Sequence, residues 1–228
     1  MVNTKALQET LSNIRETQES FQLNHTVEIV AVTKTHPFSA IQEVYNKGVV
    51  SIGENRVQEA AQKFRSFEKM PKMTKRFIGH LQTNKVKKCV ELFDTIDSVD
   101  SLRLIKKISN HALKSNRIVP VLLEVNTSGE MQKHGFLTSE TDEMLRCFDE
   151  GSIRVDGLMT VGPMTADKEK IRGAFKKLKE LQTDLNNRLG HNQLKELSMG
   201  MSGDYQIAVE EGSTMVRIGR ALFGARNK

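Results

Sequence analysis

Val119-Pro120-Val121-Leu122-Leu123-Glu124-Val125 is the stretch on which the reading of the fold turns. A strand with one solvated face alternates apolar and polar residues. A nearly continuous apolar run such as this one is expected where a parallel strand is covered on both faces. Working outward, strand and helix patterns alternate on both sides of it. Toward the N-terminus lie short β-branched runs at Val27–Val32, Val49–Ile52, Arg76–Gly79 and Thr95–Val99. Between them, helical spacing predicts helices over Pro37–Lys47, Asn55–Phe67 and Asn84–Phe93, with a further apolar face at Leu102, Ile105, Ile108 and Ala112. Toward the C-terminus, strands are expected at Val155–Val161, Glu196–Met199 and Met215–Ile218. Helices are expected over Ser139–Phe148, across Ile171, Phe175, Leu178, Leu185 and Leu189, over Asp204–Glu211, and at Ala221–Phe223.

Eight strands, each followed by a helix, point to a single (β/α)8 TIM barrel of class α/β. An open doubly wound sheet is the alternative. Leu7, Leu11, Ile14 and Phe21, behind an N-cap at Asn3 or Thr4, add an extra N-terminal helix ahead of the first strand. No linker-like or low-complexity stretch interrupts the chain, so residues 1–228 are expected to form one domain.

Composition narrows the function classes. The 228 residues are 38% hydrophobic, enough for a Leu/Ile/Val/Met core. No apolar run approaches the ~20 residues of a membrane span, and Met1-Val2-Asn3-Thr4-Lys5 opens no signal segment. A cytoplasmic location is the expectation. Cys89 and Cys147 lie far apart and outside any CxxC spacing, so neither a zinc site nor a disulfide framework is expected. The net charge of +6 invites a nucleic-acid reading. The basic clusters lack interleaved aromatics for base stacking, and Lys85-Val86-Lys87-Lys88 reads as a solvated helix face.

In a barrel of this kind, chemistry gathers at the C-terminal ends of the strands. Lys34 closes the first apolar strand, where desolvation disfavours its charged form, as a Schiff-base lysine requires. A lysine that snorkels to water is the bland alternative. Met199-Gly200-Met201-Ser202-Gly203 follows the seventh strand, and Arg217-Ile218-Gly219-Arg220 ends the eighth. Glycine-rich turns at these two places are the usual phosphate cup of such barrels, although glycines also serve tight turns alone. A lysine and a phosphate cup together describe pyridoxal phosphate, and equally a Schiff-base aldolase acting on sugar phosphates. His36 and His80 are expected to be structural. Glu54, Glu124 and Asp156 lie near strand ends without a recognisable pairing, and Met199 and Met201 are expected to pack in the barrel mouth.

Longer strings separate the two readings. They are Ala31-Val32-Thr33-Lys34, Gly53-Glu54-Asn55-Arg56-Val57-Gln58-Glu59 and Phe77-Ile78-Gly79-His80-Leu81-Gln82-Thr83-Asn84-Lys85. Val125-Asn126-Thr127-Ser128-Gly129-Glu130, Gly157-Leu158-Met159-Thr160, Leu197-Ser198-Met199-Gly200-Met201-Ser202 and the run from Gly212 to Gly224 complete the set. In order and over nearly the whole chain, they resemble the pyridoxal phosphate homeostasis proteins, the YggS/PROSC-like family. The resemblance implies an alanine racemase N-terminal-domain-like barrel that binds pyridoxal 5'-phosphate. It implies a Schiff base on Lys34, and a phosphate held by Ser202, Gly219 and Arg220 with Met201 in the same turn. It also implies Arg217 at the pyridine nitrogen, and Asn55 and Met159 along the ring. Arg220 departs from the pattern, standing where many relatives have threonine, so a hydroxyl contact to phosphate is lost there.

The resemblance further implies a carrier that buffers the cofactor in vitamin B6 homeostasis with little or no turnover. An arginine at the ring nitrogen weakens the electron sink. Racemases of this fold take a second base from an appended domain, and none is expected in a chain ending at Lys228. Apo enzymes that use the cofactor and amino acids are the expected partners, and the chain is expected to be a monomer. A racemase or lyase with a base from the barrel itself is the alternative; a basic nucleic-acid- or protein-interaction module is the lesser one.

Overall fold

The computed structural model describes residues 2–224, so Met1 and the chain end at Lys228 lie outside the described residues. The first helix, α1, spans Thr4–Ser20. Asn3 caps it, its Oδ1 accepting the Ala6 N–H at 3.0 Å. The strands are β1 (Glu28–Val32), β2 (Ser51–Glu54), β3 (Thr74–Phe77), β4 (Thr95–Val99), β5 (Val119–Asn126), β6 (Phe136–Leu137), β7 (Ile153–Met159), β8 (Glu196–Met201) and β9 (Met215–Ile218). The helices are α2 (Phe38–Asn46), α3 (Val57–Lys63), α4 (Val86–Leu92), α5 (Leu102–Lys114), α6 (Thr141–Arg146), α7 (Lys168–Leu189), α8 (Tyr205–Glu210) and α9 (Arg220–Phe223).

Every pairing is parallel. The order β4-β3-β2-β1-β9-β8-β7-β5 closes on itself through β4 and β5, giving the eight-stranded barrel. β6 is an unexpected two-residue strand, laid beside the end of β5 with Val125 opposite Phe136. It is too short to leave a periodic signal.

The pleat sorts side chains in and out. On β1, Ile29 and Ala31 pack outward with Ile41 and Val44 of α2, while Val30 turns inward. Val30, Leu122, Met159 and Met215 form the apolar layer inside the barrel. The floor beneath is polar: Arg76 Nε donates to Ser51 Oγ at 2.9 Å, and its Nη1 lies 3.3 Å from Asp97 Oδ2. This is why β3 begins in the polar segment at Thr74, earlier than the apolar pattern predicts. β2 likewise runs on through Gly53 and Glu54, two residues past the expected end. Gly53 leaves room there for Ile78, whose Cδ1 would stand 2.7 Å from an added Cβ.

α3 stops at Lys63, short of the expected Phe67. Phe64 then turns into an aromatic cluster with Phe67 and Phe93, centroids 5.3 and 5.6 Å away. Among the described residues, no helix is long and apolar enough to cross a membrane. Both cysteines are buried and their thiols pushed up by desolvation, that of Cys147 to about 12, so neither is a reactive thiolate.

Candidate functional site

The C-terminal ends of the strands bring most of the expected residues to one mouth. Thr33 continues the outward series of Ile29 and Ala31, and its Oγ1 donates to Glu54 Oε1 at 2.5 Å. The two-residue period of the strand turns Val32 to the inside, and β1 ends there, so Lys34 follows in the turn at the barrel mouth. Lys34 is half-buried in the turn after β1. The next residue, Thr35, has φ of 66°. A β-branched residue is seldom found in that left-handed region, and holding it there costs on the order of 1–3 kcal/mol. The carboxylate of Glu59 pins it by accepting the Thr35 N–H at 2.5 Å.

Behind this turn lies a pair that the sequence did not reveal. Lys63 Nζ donates to Glu54 Oε1 at 2.5 Å and to the Thr33 carbonyl at 2.9 Å. Burial raises the Glu54 pKa, and the Lys63 charge opposes that rise. Glu54 Oε2 has no hydrogen-bond partner. The available signal was the four-residue spacing of Glu59 and Lys63 on one helix face; nothing marked Glu54 as their neighbour.

The glycine turns after β8 and β9 meet. Ser202 Oγ lies 3.4 Å from the Ala221 nitrogen, which donates to it. Gly219 lies against Val32, where a Cβ would sit 3.3 Å from the Val32 Cβ. Since β1 also pairs with β9, the Gly219 turn stands directly beside the strand end that delivers Lys34. The Arg220 side chain is exposed at the start of α9, and the Met201 side chain is 38% exposed. Gly200, with φ of 92°, shapes the preceding bend.

Met199 does not pack in the mouth. The pleat of β8 turns it outward into the core shared with Phe175 of α7 and Ala208 of α8. Met159 closes β7 from the inside, packed with Val30 and Met215. Asn55 follows β2, and Gly79 rests on its backbone so closely that a Cβ would stand 2.4 Å from its carbonyl oxygen.

Arg217 projects into the barrel from β9 and is 4% exposed. Its Nη1 donates to the Ser198 carbonyl at 2.7 Å and the Ser198 hydroxyl at 2.8 Å, and its Nη2 to the Thr160 carbonyl at 2.7 Å. All three acceptors are neutral. Burial lowers its pKa, with Glu124 the foremost opposing charge, yet an arginine starts so high that it remains a cation. Glu124 shares the inward face of β5 with Leu122. Desolvation, with the Asp100 charge second, pushes its carboxyl up to about 7 against the pull of Arg217.

The two histidines differ. His36 stacks on Phe223, centroids 4.5 Å apart, and burial lowers its pKa. His80 stands at the rim with Asp100 and His134, a grouping the sequence did not indicate.

Comparison with known proteins places this geometry. The alanine racemase N-terminal domain family matches residues 2–227. A pyridoxal phosphate homeostasis protein of Aquifex aeolicus is 40% identical over 199 residues, covering 87% of this chain and 86% of that one. The mouse protein of the same name is 38% identical, over 87% of this chain and 77% of its own. Among solved structures, PipY of Synechococcus elongatus with PLP bound superposes with a TM-score of 0.82 at 34% identity, covering 92% of this chain and all of that one. An alanine racemase of Clostridium difficile shares the fold, with a TM-score of 0.73 at 17% identity, over 96% of this chain and 61% of its own.

Proposed function

The chain belongs to the pyridoxal phosphate homeostasis protein family, and from that premise we propose that it binds pyridoxal 5'-phosphate on Lys34 and carries or buffers it in the cytoplasm, with little or no turnover. The observation that carries this reading is Arg217, a buried cation whose hydrogen bonds all go to neutral acceptors, with the carboxylates of Glu124, Asp204 and Asp97 acting on it only through space. Removing a charge from water without a carboxylate in hydrogen-bond contact is costly. A guanidinium in that position fits an aromatic nitrogen that accepts a hydrogen bond and stays unprotonated. Pyridoxal phosphate, when bound, supplies an aldehyde that condenses with amines and a ring that draws electrons most strongly when its nitrogen is protonated. Arg217 opposes that protonation.

The remaining residues fit the same group. Ser202 and the backbone of Gly219 and Arg220 would hold the phosphate, with Met201 in the same bend. The Gly219 turn lies against Val32, so the phosphate would be held beside the strand end that bears the attaching amine. Asn55 and Met159 would flank the ring. The barrel of residues 1–228 serves as one cofactor-binding unit, acts as a monomer, and exchanges cofactor with apo enzymes or meets free amino acids at its mouth.

One observation favours the alternative of a racemase or lyase. Glu124 faces the barrel interior with a carboxyl pushed up to about 7, the range suited to a general base. Loaded protein incubated with amino acids in deuterated water separates the two readings. The carrier leaves the α-hydrogens in place. Exchange at roughly 1 s⁻¹ or faster, lost in Glu124→Gln, would make it an enzyme.

A further inference from the structure

Three loops meet at the rim of the barrel on the side of β3, β4 and β5. His80 follows β3, Asp100 follows β4, and His134 lies between β5 and β6. Each offers one donor atom, and the three donors lie within 4.8 Å of one another. His80 Nδ1 lies 3.1 Å from Asp100 Oδ2. The two imidazoles stack at 3.8 Å between centroids with 13° between their planes.

The cluster is held by backbone, not by chance rotamers. Gly79, just before His80, packs on Asn55 and its carbonyl accepts from Ser98 Oγ at 2.6 Å. Gly135, just after His134, has φ of 113°, and a Cβ there would stand 2.8 Å from the Asn126 nitrogen. Lys133 ties the same loop down by donating to the Gly162 carbonyl at 2.8 Å. The Ser101 hydroxyl donates to Asp100 Oδ1 at 3.1 Å, orienting the carboxylate from behind.

We infer that His80, Asp100 and His134 form a binding site for one divalent transition-metal ion, of which Zn²⁺ is the representative. Two imidazole nitrogens and one carboxylate oxygen suit zinc and its late first-row neighbours, whereas Mg²⁺ and Ca²⁺ prefer all-oxygen sets. Ligands about 2.0–2.2 Å from an ion lie closer together than the present donors, and an imidazole lone pair lies in its ring plane, so the two exposed rings rotate out of their present stack to converge on the ion. Three protein ligands leave a fourth position for water or an incoming donor. His80 also lines a cleft of about 400 Å³ with Asn55, Gln58, Gln82 and Lys85, which gives an incoming donor a route to the cluster. The site shares no residue with the proposed phosphate cup.

The test is calorimetric titration of the full-length protein with Zn²⁺, repeated with Co²⁺ to read its visible absorption. His80→Ala, His134→Ala and Asp100→Asn are compared with a control at the distant His191→Ala, and circular dichroism checks that each is folded. The expected result is one ion per chain, weakened about ten-fold or more in both histidine variants and unchanged in the control. The Co²⁺ spectrum should be that of a four- or five-coordinate ion and should vanish in His134→Ala. Equal binding by the wild type and the His80→Ala and His134→Ala variants overturns the inference, as does an affinity weaker than roughly 100 µM. Pyridoxal phosphate binding, measured separately, does not enter either outcome.

Discussion

Lys63 Nζ stands 2.5 Å from Glu54 Oε1 with their side chains 7% and 0% exposed, directly behind the strand end that presents Lys34. The two charges are worth little as a pair, because both were taken out of water to form it. Either one alone is a liability. Lys63→Met leaves a buried, uncompensated carboxylate and also strips the Thr33 carbonyl of its donor. The expected loss is about 3–5 kcal/mol in urea denaturation, with most of it recovered in Glu54→Gln/Lys63→Met. A double variant no better than the single one would show that the pair does more than neutralise itself.

Lys34→Ala tests the attachment point. Borohydride treatment of cofactor-loaded wild type should fix the cofactor to the peptide containing Lys34, read by mass spectrometry. The variant should remain folded and acquire no such mass. An adduct on another lysine of Lys34→Ala would move the attachment elsewhere.

Replacing Gly219 probes the phosphate cup. A Cβ there would already stand 3.3 Å from the Val32 Cβ, so a bulky side chain must displace the turn that lies beside Ser202. Gly219→Leu should weaken pyridoxal phosphate by about 2–3 kcal/mol, through charge-assisted hydrogen bonds no longer made. Unphosphorylated pyridoxal should be affected far less. Equal weakening of both would place the phosphate outside these turns.

Glu124 gives stability a pH dependence of definite sign. Its folded pKa, about 7, lies above its ordinary value of 4.5, so the folded state binds the proton more tightly than the unfolded chain. Between those values, unfolding releases that proton. The contribution is fully present below pH 4.5 and is lost as pH rises through about 7. The full effect is on the order of 3 kcal/mol. Chemical denaturation of cofactor-free protein across that window should show the fall for wild type and a flatter profile for Glu124→Gln. Identical slopes would remove Glu124 as the cause.

The strands show where local pattern suffices. Val119–Val125 reads as a strand covered on both faces because every apolar residue in it meets either the helices or the barrel interior. Lys34, Ser202, Arg217 and Gly219 could be placed at strand ends and turns from local pattern alone, and their part in holding a cofactor is the proposal made above. β2 was displaced because Gly53 and Glu54 look like turn residues; pairing with β3, Gly53 opposite Arg76 and Glu54 opposite Phe77, makes them strand. Met199 was misplaced for a similar reason, since the inside or outside of a strand depends on register, which its own sequence does not state.

The sequence by itself determined a parallel (β/α)8 barrel, the lysine at the end of its first strand and the paired glycine turns after its last two. These follow from residue type and from spacings of a few positions, which local sterics and burial enforce. The tertiary structure alone decided which charges meet. It set Lys63 against Glu54, turned Arg217 to the carbonyls of Ser198 and Thr160, and gathered His80, Asp100 and His134 on one rim. Those contacts join residues from 9 to 57 positions apart: packing of α3 behind β2 makes the first, the pairing of β7, β8 and β9 the second, and closure of the barrel through β4 and β5 the third.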